Sequence, residues 1–89
     1  MKLTTVALGT DSFYFMNWNW GCEIEASTET LRKFGCPIHK ACSERSTMAN
    51  LRKTWGYNYE VTREEGNRFY RYLLSKGFQV TNIRRPEQG

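Results

Sequence analysis

Four residues with metal-ligating chemistry fall in the first half of this 89-residue chain: Cys22, Cys36, His39 and Cys42. Thiolate and imidazole donors suit tetrahedral zinc, and a structural zinc would support a core that is necessarily thin at this length. The intervals between them are thirteen, two and two residues, which matches no standard zinc module. Cys22 and Cys42 also fall on apolar faces of their segments, where a free cysteine behaves as a small hydrophobe. On a helix, Cys36 meets His39 at i+3 and leaves Cys42 a turn away. The expectation is therefore buried or semi-exposed thiols, with no metal and no cofactor. Three cysteines are an odd number, which argues against a disulfide scaffold and suits a reducing compartment.

Covalent or acid–base catalysis finds no frame here. His39 is the single histidine, and no Gly-x-Ser-x-Gly context exists to present a serine. Cys36 and His39 can be drawn as nucleophile and base, but the segment offers no orienting carboxylate and no oxyanion donors. Gly21, Gly35, Gly56, Gly66 and Gly77 are isolated, so no glycine-rich phosphate loop is present. Glu23 and Glu25 read as solvent-face carboxylates, and Glu64 and Glu65 as helix-start ones. The chain is expected not to be an enzyme.

Charge and aromatics remain. The net charge is +4, unevenly placed: residues 1–27 carry Lys2 against Asp11, Glu23 and Glu25, whereas residues 28–89 carry twelve Lys/Arg against six carboxylates. A basic excess of this kind favours an anionic partner, most often nucleic acid. The candidate partner-binding residues are Arg52, Lys53, Arg68, Arg71, Arg84 and Arg85, with Trp20 and Tyr57 as aromatic anchors. Exposed aromatics beside basic residues stack nucleobases, and exposed tryptophan also anchors protein interfaces. Trp18 and Trp20 share sequence parity with Met16 and Ile24, which predicts that both face the helices, Trp20 less firmly because it adjoins Gly21.

The elements that must hold these residues follow from periodicity. Residues 2–8 read as a strand, and Gly9-Thr10-Asp11-Ser12 as a turn. From Tyr14 to Ala26 the even positions are apolar and, Phe15 apart, the odd ones polar, the period of a half-buried strand. Thirteen residues are long for one strand, so Gly21 marks either a bend or a hairpin corner. Ser27 or Thr28 caps a short helix through Phe34, which Gly35 ends, and Pro37 opens the next segment. Residues 38–54 read as helix, either continuous or broken near 43–47. Residues 57–61 read as a strand. Thr62 and Glu65 form a capping box for a helix over 62–76, closed by Gly77 with Phe78 as the apolar residue beyond it. Residues 78–85 make the last strand.

The sum is an α+β fold of order β-β-αα-β-α-β: a small mixed sheet of three to five strands with two to three helices on one face. Residues 1–85 form one domain and 86–89 a tail. Helical connections predict crossovers and some parallel pairing. A second arrangement competes over part of the chain. Asn50-Leu51-Arg52-Lys53-Thr54-Trp55-Gly56-Tyr57-Asn58-Tyr59-Glu60-Val61, followed by Gly66-Asn67-Arg68-Phe69-Tyr70-Arg71-Tyr72-Leu73-Leu74, resembles the recognition-helix-to-wing stretch of winged-helix regulators. The resemblance implies wing strands at 57–61 and 68–74 and a DNA-binding transcription regulator that uses residues 44–74.

No stretch approaches the ~20 apolar residues needed to span a bilayer, and the N-terminus lacks a signal-peptide core. The expected location is the cytoplasm, with no membrane partner. The functional expectation is a small, non-enzymatic, basic accessory protein, such as the inhibitors that viruses encode. It would regulate or inhibit a nucleic-acid-handling machine by binding nucleic acid or a nucleic-acid-processing protein complex. The alternative is the winged-helix regulator.

Overall fold

A computed structural model describes residues 1–34, 43–44 and 56–85. The first strand, β1 (Lys2–Leu8), turns at Gly9, which takes a positive φ of 62°, into β2 (Asp11–Asn17). The alternating run from Tyr14 onward is a hairpin and not one bent strand: β3 (Cys22–Ser27) pairs back antiparallel on β2. Helix α1 (Thr28–Phe34) follows directly, and Ser27 Oγ accepts from the Thr30 backbone N–H at 3.2 Å as its cap. A two-residue strand, β4 (Ser43–Glu44), and then β5 (Gly56–Val61) complete one side of the sheet.

Helix α2 (Arg63–Ser75) forms where the capping box requires it. Thr62 Oγ1 accepts from Glu65 N–H at 3.1 Å, and Glu65 Oε1 accepts from Thr62 N–H at 2.9 Å. At the other end, Gly77 N–H donates to Leu74 O and Phe78 N–H to Leu73 O, both at 3.1 Å, with Gly77 at φ 103°. This is the Schellman arrangement expected of a glycine followed by an apolar residue. The last strand is β6 (Gln79–Arg84). Because residues 68–74 lie inside α2, the second wing strand of the winged-helix arrangement does not form. The capping box and the glycine stop act locally and outweigh the strand pattern.

The sheet has the order β4-β5-β3-β2-β1-β6, five strands extended at one edge by the short β4. Every neighbouring pair is antiparallel, which corrects the expected mixed sheet. The β5–α2–β6 connection does join strands of the same direction, but β6 docks on β1 at the far edge, with β3, β2 and β1 between. A crossover that passes over three strands produces no parallel neighbours. Two helices are present among the described residues. Of the segment expected to be helical at 38–54, Ser43–Glu44 is instead strand, paired with Tyr57 and Asn58, and the remainder lies outside the described residues. The tail at 86–89 also lies outside them.

Register decides which residues form the core. Phe13 pairs with Ala26, Phe15 with Ile24 and Asn17 with Cys22, so odd positions of β2 share a face with even positions of β3. The four-residue loop of residues 18–21 shifts parity, because facing partners in an antiparallel pair lie on the same side. Val6, Phe13, Phe15, Cys22, Ile24, Ala26 and Val61 thereby face the helices, where Leu31, Phe34, Phe69, Leu73 and Phe78 cover them. Phe13 is the hub: Phe69, Phe78 and Phe34 meet its ring edge-to-face at 5.2, 5.6 and 6.5 Å between centroids. The opposite face carries a second cluster of Leu3, Tyr14 and Met16, with Met1 and Trp18 packed on it. Trp18 therefore belongs to the face away from the helices, and Trp20 to neither, being 58% exposed. Both corrections follow from the loop's even length.

Gly66 is the point where α2 comes closest to the sheet. A Cβ built there would stand 2.9 Å from both Cβ and Sγ of Cys22. The Cys22 Cβ is fixed to the strand and cannot swing aside. Gly66→Ala gains about 1 kcal/mol of helix propensity. It is opposed by an overpacking cost of about 1–3 kcal/mol. We expect a net loss of stability, read as a lowered urea midpoint with unchanged m-value; a raised midpoint would show that the helix lifts off the sheet at no cost.

Candidate functional site

The loop of residues 18–21 is tightly made. Trp18 N–H donates to Gly21 O at 2.8 Å. A side chain at Gly21 would bring a Cβ to 2.7 Å from the Val61 carbonyl oxygen, so the loop can sit against the end of β5 only with glycine there. At the start of α2, Arg63 reaches across: its Nη2 donates to Trp18 O at 2.6 Å and, more weakly, to Asn19 O at 3.4 Å. The guanidinium is thus pinned to the loop backbone with donors to spare.

Around Arg63 lies an open recess of about 330 Å³, to which Lys2, Trp18, Asn19 and Arg85 also contribute. Three side-chain cations line it, and among the described residues no carboxylate does. The Trp18 Nε1–H is buried and has no acceptor among the described residues. A buried donor left without an acceptor costs about 1–3 kcal/mol. Trp20 stands exposed in the same loop.

The residues expected to bind a partner are distributed unevenly over this frame. Trp20 and Arg85 belong to the loop end of the sheet, Trp20 at the loop itself and Arg85 in the recess. Arg68 and Arg71 are exposed on α2, where Arg68 Nη2 lies 3.3 Å from Glu64 Oε1 one turn earlier. Both partners are largely exposed, so this pair restrains Arg68 weakly. Arg84 pairs in register with Leu3 and so stands on the face opposite the helices. The structure therefore separates Arg84 from Arg68 and Arg71 by the thickness of the sheet. The Tyr57 backbone lies in β5 between Ala26 and Glu44. Arg52 and Lys53 lie outside the described residues.

Lys2, Arg63 and the Asn19 beside Trp20 were not among the residues expected to bind. Lys2 lies in the acidic N-terminal portion, and Arg63 reads as one more charge in a helix start. Their convergence depends on β1 lying beside β2 and on α2 starting above the hairpin loop. The available signal was Phe15, which breaks the alternation and marks the parity shift that frees the loop.

Two carboxylates also differ from expectation. Glu25 is buried, and Asn58 Nδ2 donates to its Oε1 at 2.9 Å and to Glu23 Oε2 at 2.8 Å. Both lie on the face away from the helices, but Glu25 is buried there and Glu23 half-buried; the amide joins β5 to β3 and offsets part of the desolvation of the carboxylates. Among the described residues no group of three or more His, Cys, Asp or Glu is placed to hold a metal, and no helix is long and apolar enough to cross a membrane. Cys36, His39 and Cys42 lie outside those residues. Cys22 packs in the core beneath Gly66.

Compared with known proteins, the chain matches no family model, no curated protein and no solved structure.

Burial, followed by the negative charge of Glu23, pushes the Cys22 thiol from its ordinary value of 9.0 up to about 11. The unfolded chain therefore releases this proton near pH 9 while the folded chain keeps it. Cys22 contributes its full share below pH 9 and opposes folding increasingly as pH rises towards 11. We expect the urea midpoint of the parent to fall more steeply between pH 9 and 11 than that of Cys22→Ala. Parallel curves for the two proteins would show that the thiol ionises as freely in the fold as outside it.

Proposed function

We propose that this chain is a small, non-enzymatic accessory protein that regulates or inhibits a nucleic-acid-handling machine by engaging its nucleic acid, in the manner of a virus-encoded inhibitor acting in the cytoplasm. The observation that carries the reading is the recess formed by Lys2, Arg63 and Arg85 beside the exposed Trp20, with no carboxylate among the described residues that line it. Cations that converge without counter-charges suit phosphate oxygens, and Arg in particular offers a planar fork of donors for them. An exposed indole next to such cations gives a base a surface on which to stack. The basic excess after residue 27 adds long-range attraction for a polyanion.

A single strand fits these features better than a duplex. Stacking on Trp20 needs an unpaired base, and a compact recess engages one or two phosphates instead of tracking a groove. Binding of this kind is tolerant of sequence and sensitive to salt. The exposed Arg68 and Arg71 on α2 would contribute at longer range, through the field more than through contact.

The test is a salt titration with a short single-stranded oligonucleotide, for the parent and for variants shown by melting to be folded. Affinity should fall linearly in the log–log plot, and Arg63→Ala and Arg85→Ala should each flatten the slope by about 0.7. Trp20→Ala should cost about 1–3 kcal/mol without changing the slope. If affinity is independent of salt while Trp20→Ala alone abolishes capture of a protein from nuclease-treated extract, the partner is that protein and the nucleic-acid reading is wrong.

A further inference from the structure

A second recess adjoins the cationic one. It has a volume of about 140 Å³ and lies between the first half of α2 and the β6-β1-β2 part of the helix-facing sheet surface. Lys2 and Asn17 line both recesses, so the two share a wall. Their chemistry differs. The first is ringed by Lys2, Arg63 and Arg85; the second is walled by Phe15, Tyr70 and Ile83 and carries the amide of Asn67. Phe15 and Tyr70 stand edge-to-face at 5.5 Å, which holds the Tyr70 ring in place. Among the described residues, neither recess has a carboxylate in its lining.

We infer that the two recesses together form a binding site for one nucleoside monophosphate unit, with the phosphate among Lys2, Arg63 and Arg85 and the base between Tyr70 and Ile83. The inference rests on the nucleic-acid reading above and specifies what it recognises. A nucleotide joins a compact anion to a flat, part-apolar ring with donors and acceptors along its edge, and the paired recesses present those two chemistries side by side. The side-chain amides of Asn17 and Asn67 each offer both a donor and an acceptor, so they can meet the edge of a base. Arg63 is already held by the Trp18 and Asn19 carbonyls and needs little reordering to meet a phosphate. A base stacked within a duplex cannot enter the second recess, so the unit is either a free nucleotide or part of a single strand. In a strand, the neighbouring base would lie towards Trp20.

Four probes test this by tryptophan fluorescence and calorimetry on the full chain: inorganic phosphate, a nucleoside, the matching nucleoside 5′-monophosphate and a single-stranded decanucleotide. The monophosphate should bind more than about tenfold tighter than either phosphate or nucleoside alone. Arg63→Ala and Arg85→Ala should weaken every phosphate-containing probe. Asn67→Ala, at an exposed position, and Tyr70→Ala, checked for folding by melting, should weaken monophosphate and strand but leave inorganic phosphate unchanged. A decanucleotide at least about tenfold tighter than the monophosphate identifies a strand as the natural ligand, and equal or weaker binding identifies a free nucleotide. If the monophosphate binds no tighter than inorganic phosphate, and the Asn67 and Tyr70 variants match the parent, there is no base site and the inference fails. In that event, salt-dependent binding of the decanucleotide would leave the broader reading standing, and its loss would end that reading as well.

Discussion

The approach of α2 to the sheet at Gly66 governs how the rest of the molecule is arranged. One helical position without a side chain lets the helix backbone come down over Cys22, close enough that even a methyl group would collide. From that height the Phe69 ring reaches those of Phe13 and Phe15, and Phe69 and Leu73 are fully buried in the same core. The same placement sets the first residue of the helix beside the β2–β3 loop, which brings the Arg63 guanidinium to the Trp18 carbonyl. Core packing and the position of the most heavily anchored cation are thus consequences of a single short contact. Glycine is a poor helix former, and its presence inside α2 makes sense as the cost of this proximity.

Parity is the second constraint. An even-numbered loop joins two strands whose alternation is offset by one, so β2 offers Phe13 and Phe15 to the helices and Tyr14 and Met16 to the other side. All four of these residues are buried, which makes β2 a strand covered on both faces in the centre of the sheet. The tryptophans fall at the point where the offset is absorbed. One packs on the lesser cluster and the other projects outward, and the loop that carries them becomes available for contacts that a core position would forbid.

Buried polar groups tie the covering helices and the edge-side strands to this centre. Asp11 at the start of β2 accepts from Thr30 Oγ1 at 2.8 Å and meets Lys33 Nζ at 3.3 Å, which fixes the short α1 to the hairpin although seven residues cannot hold a helix alone. Thr30 Oγ1 also accepts from Ser27 Oγ, so the cap of α1 and its anchor are one chain of hydrogen bonds. On the other side, Asn58 serves Glu23 and Glu25 together and ties β5 to β3. Each of these groups would be costly to bury unpartnered, and each pairing specifies a register or a docking position.

Local signals in the sequence were sufficient for the two described helices and the strands that adjoin them. The Thr62/Glu65 box, the Gly77–Phe78 stop and the Ser27–Thr28 start each act within a few residues, and the helices they delimit stand where they place them, whereas the turn expected over Gly9–Ser12 is shorter, because Asp11 and Ser12 already belong to β2. The α+β class and the placement of the helices on one face follow from those elements. What the sequence could not determine is pairing. Whether β6 would dock next to β5 or across the sheet on β1 depends on which edge offers a hydrogen-bonding partner once α2 has crossed, and that is a property of the assembled sheet. The face assigned to each tryptophan, and the burial of Glu25 and Asn58, hinge on a loop length that is legible only when the hairpin is distinguished from a bend. The candidate site is the extreme case. Lys2, Arg63 and Arg85 are separated by most of the chain, and no periodicity links them. They converge because β1 is flanked by β2 and β6 while α2 begins above the loop, so only the tertiary structure makes one recess of three unrelated charges.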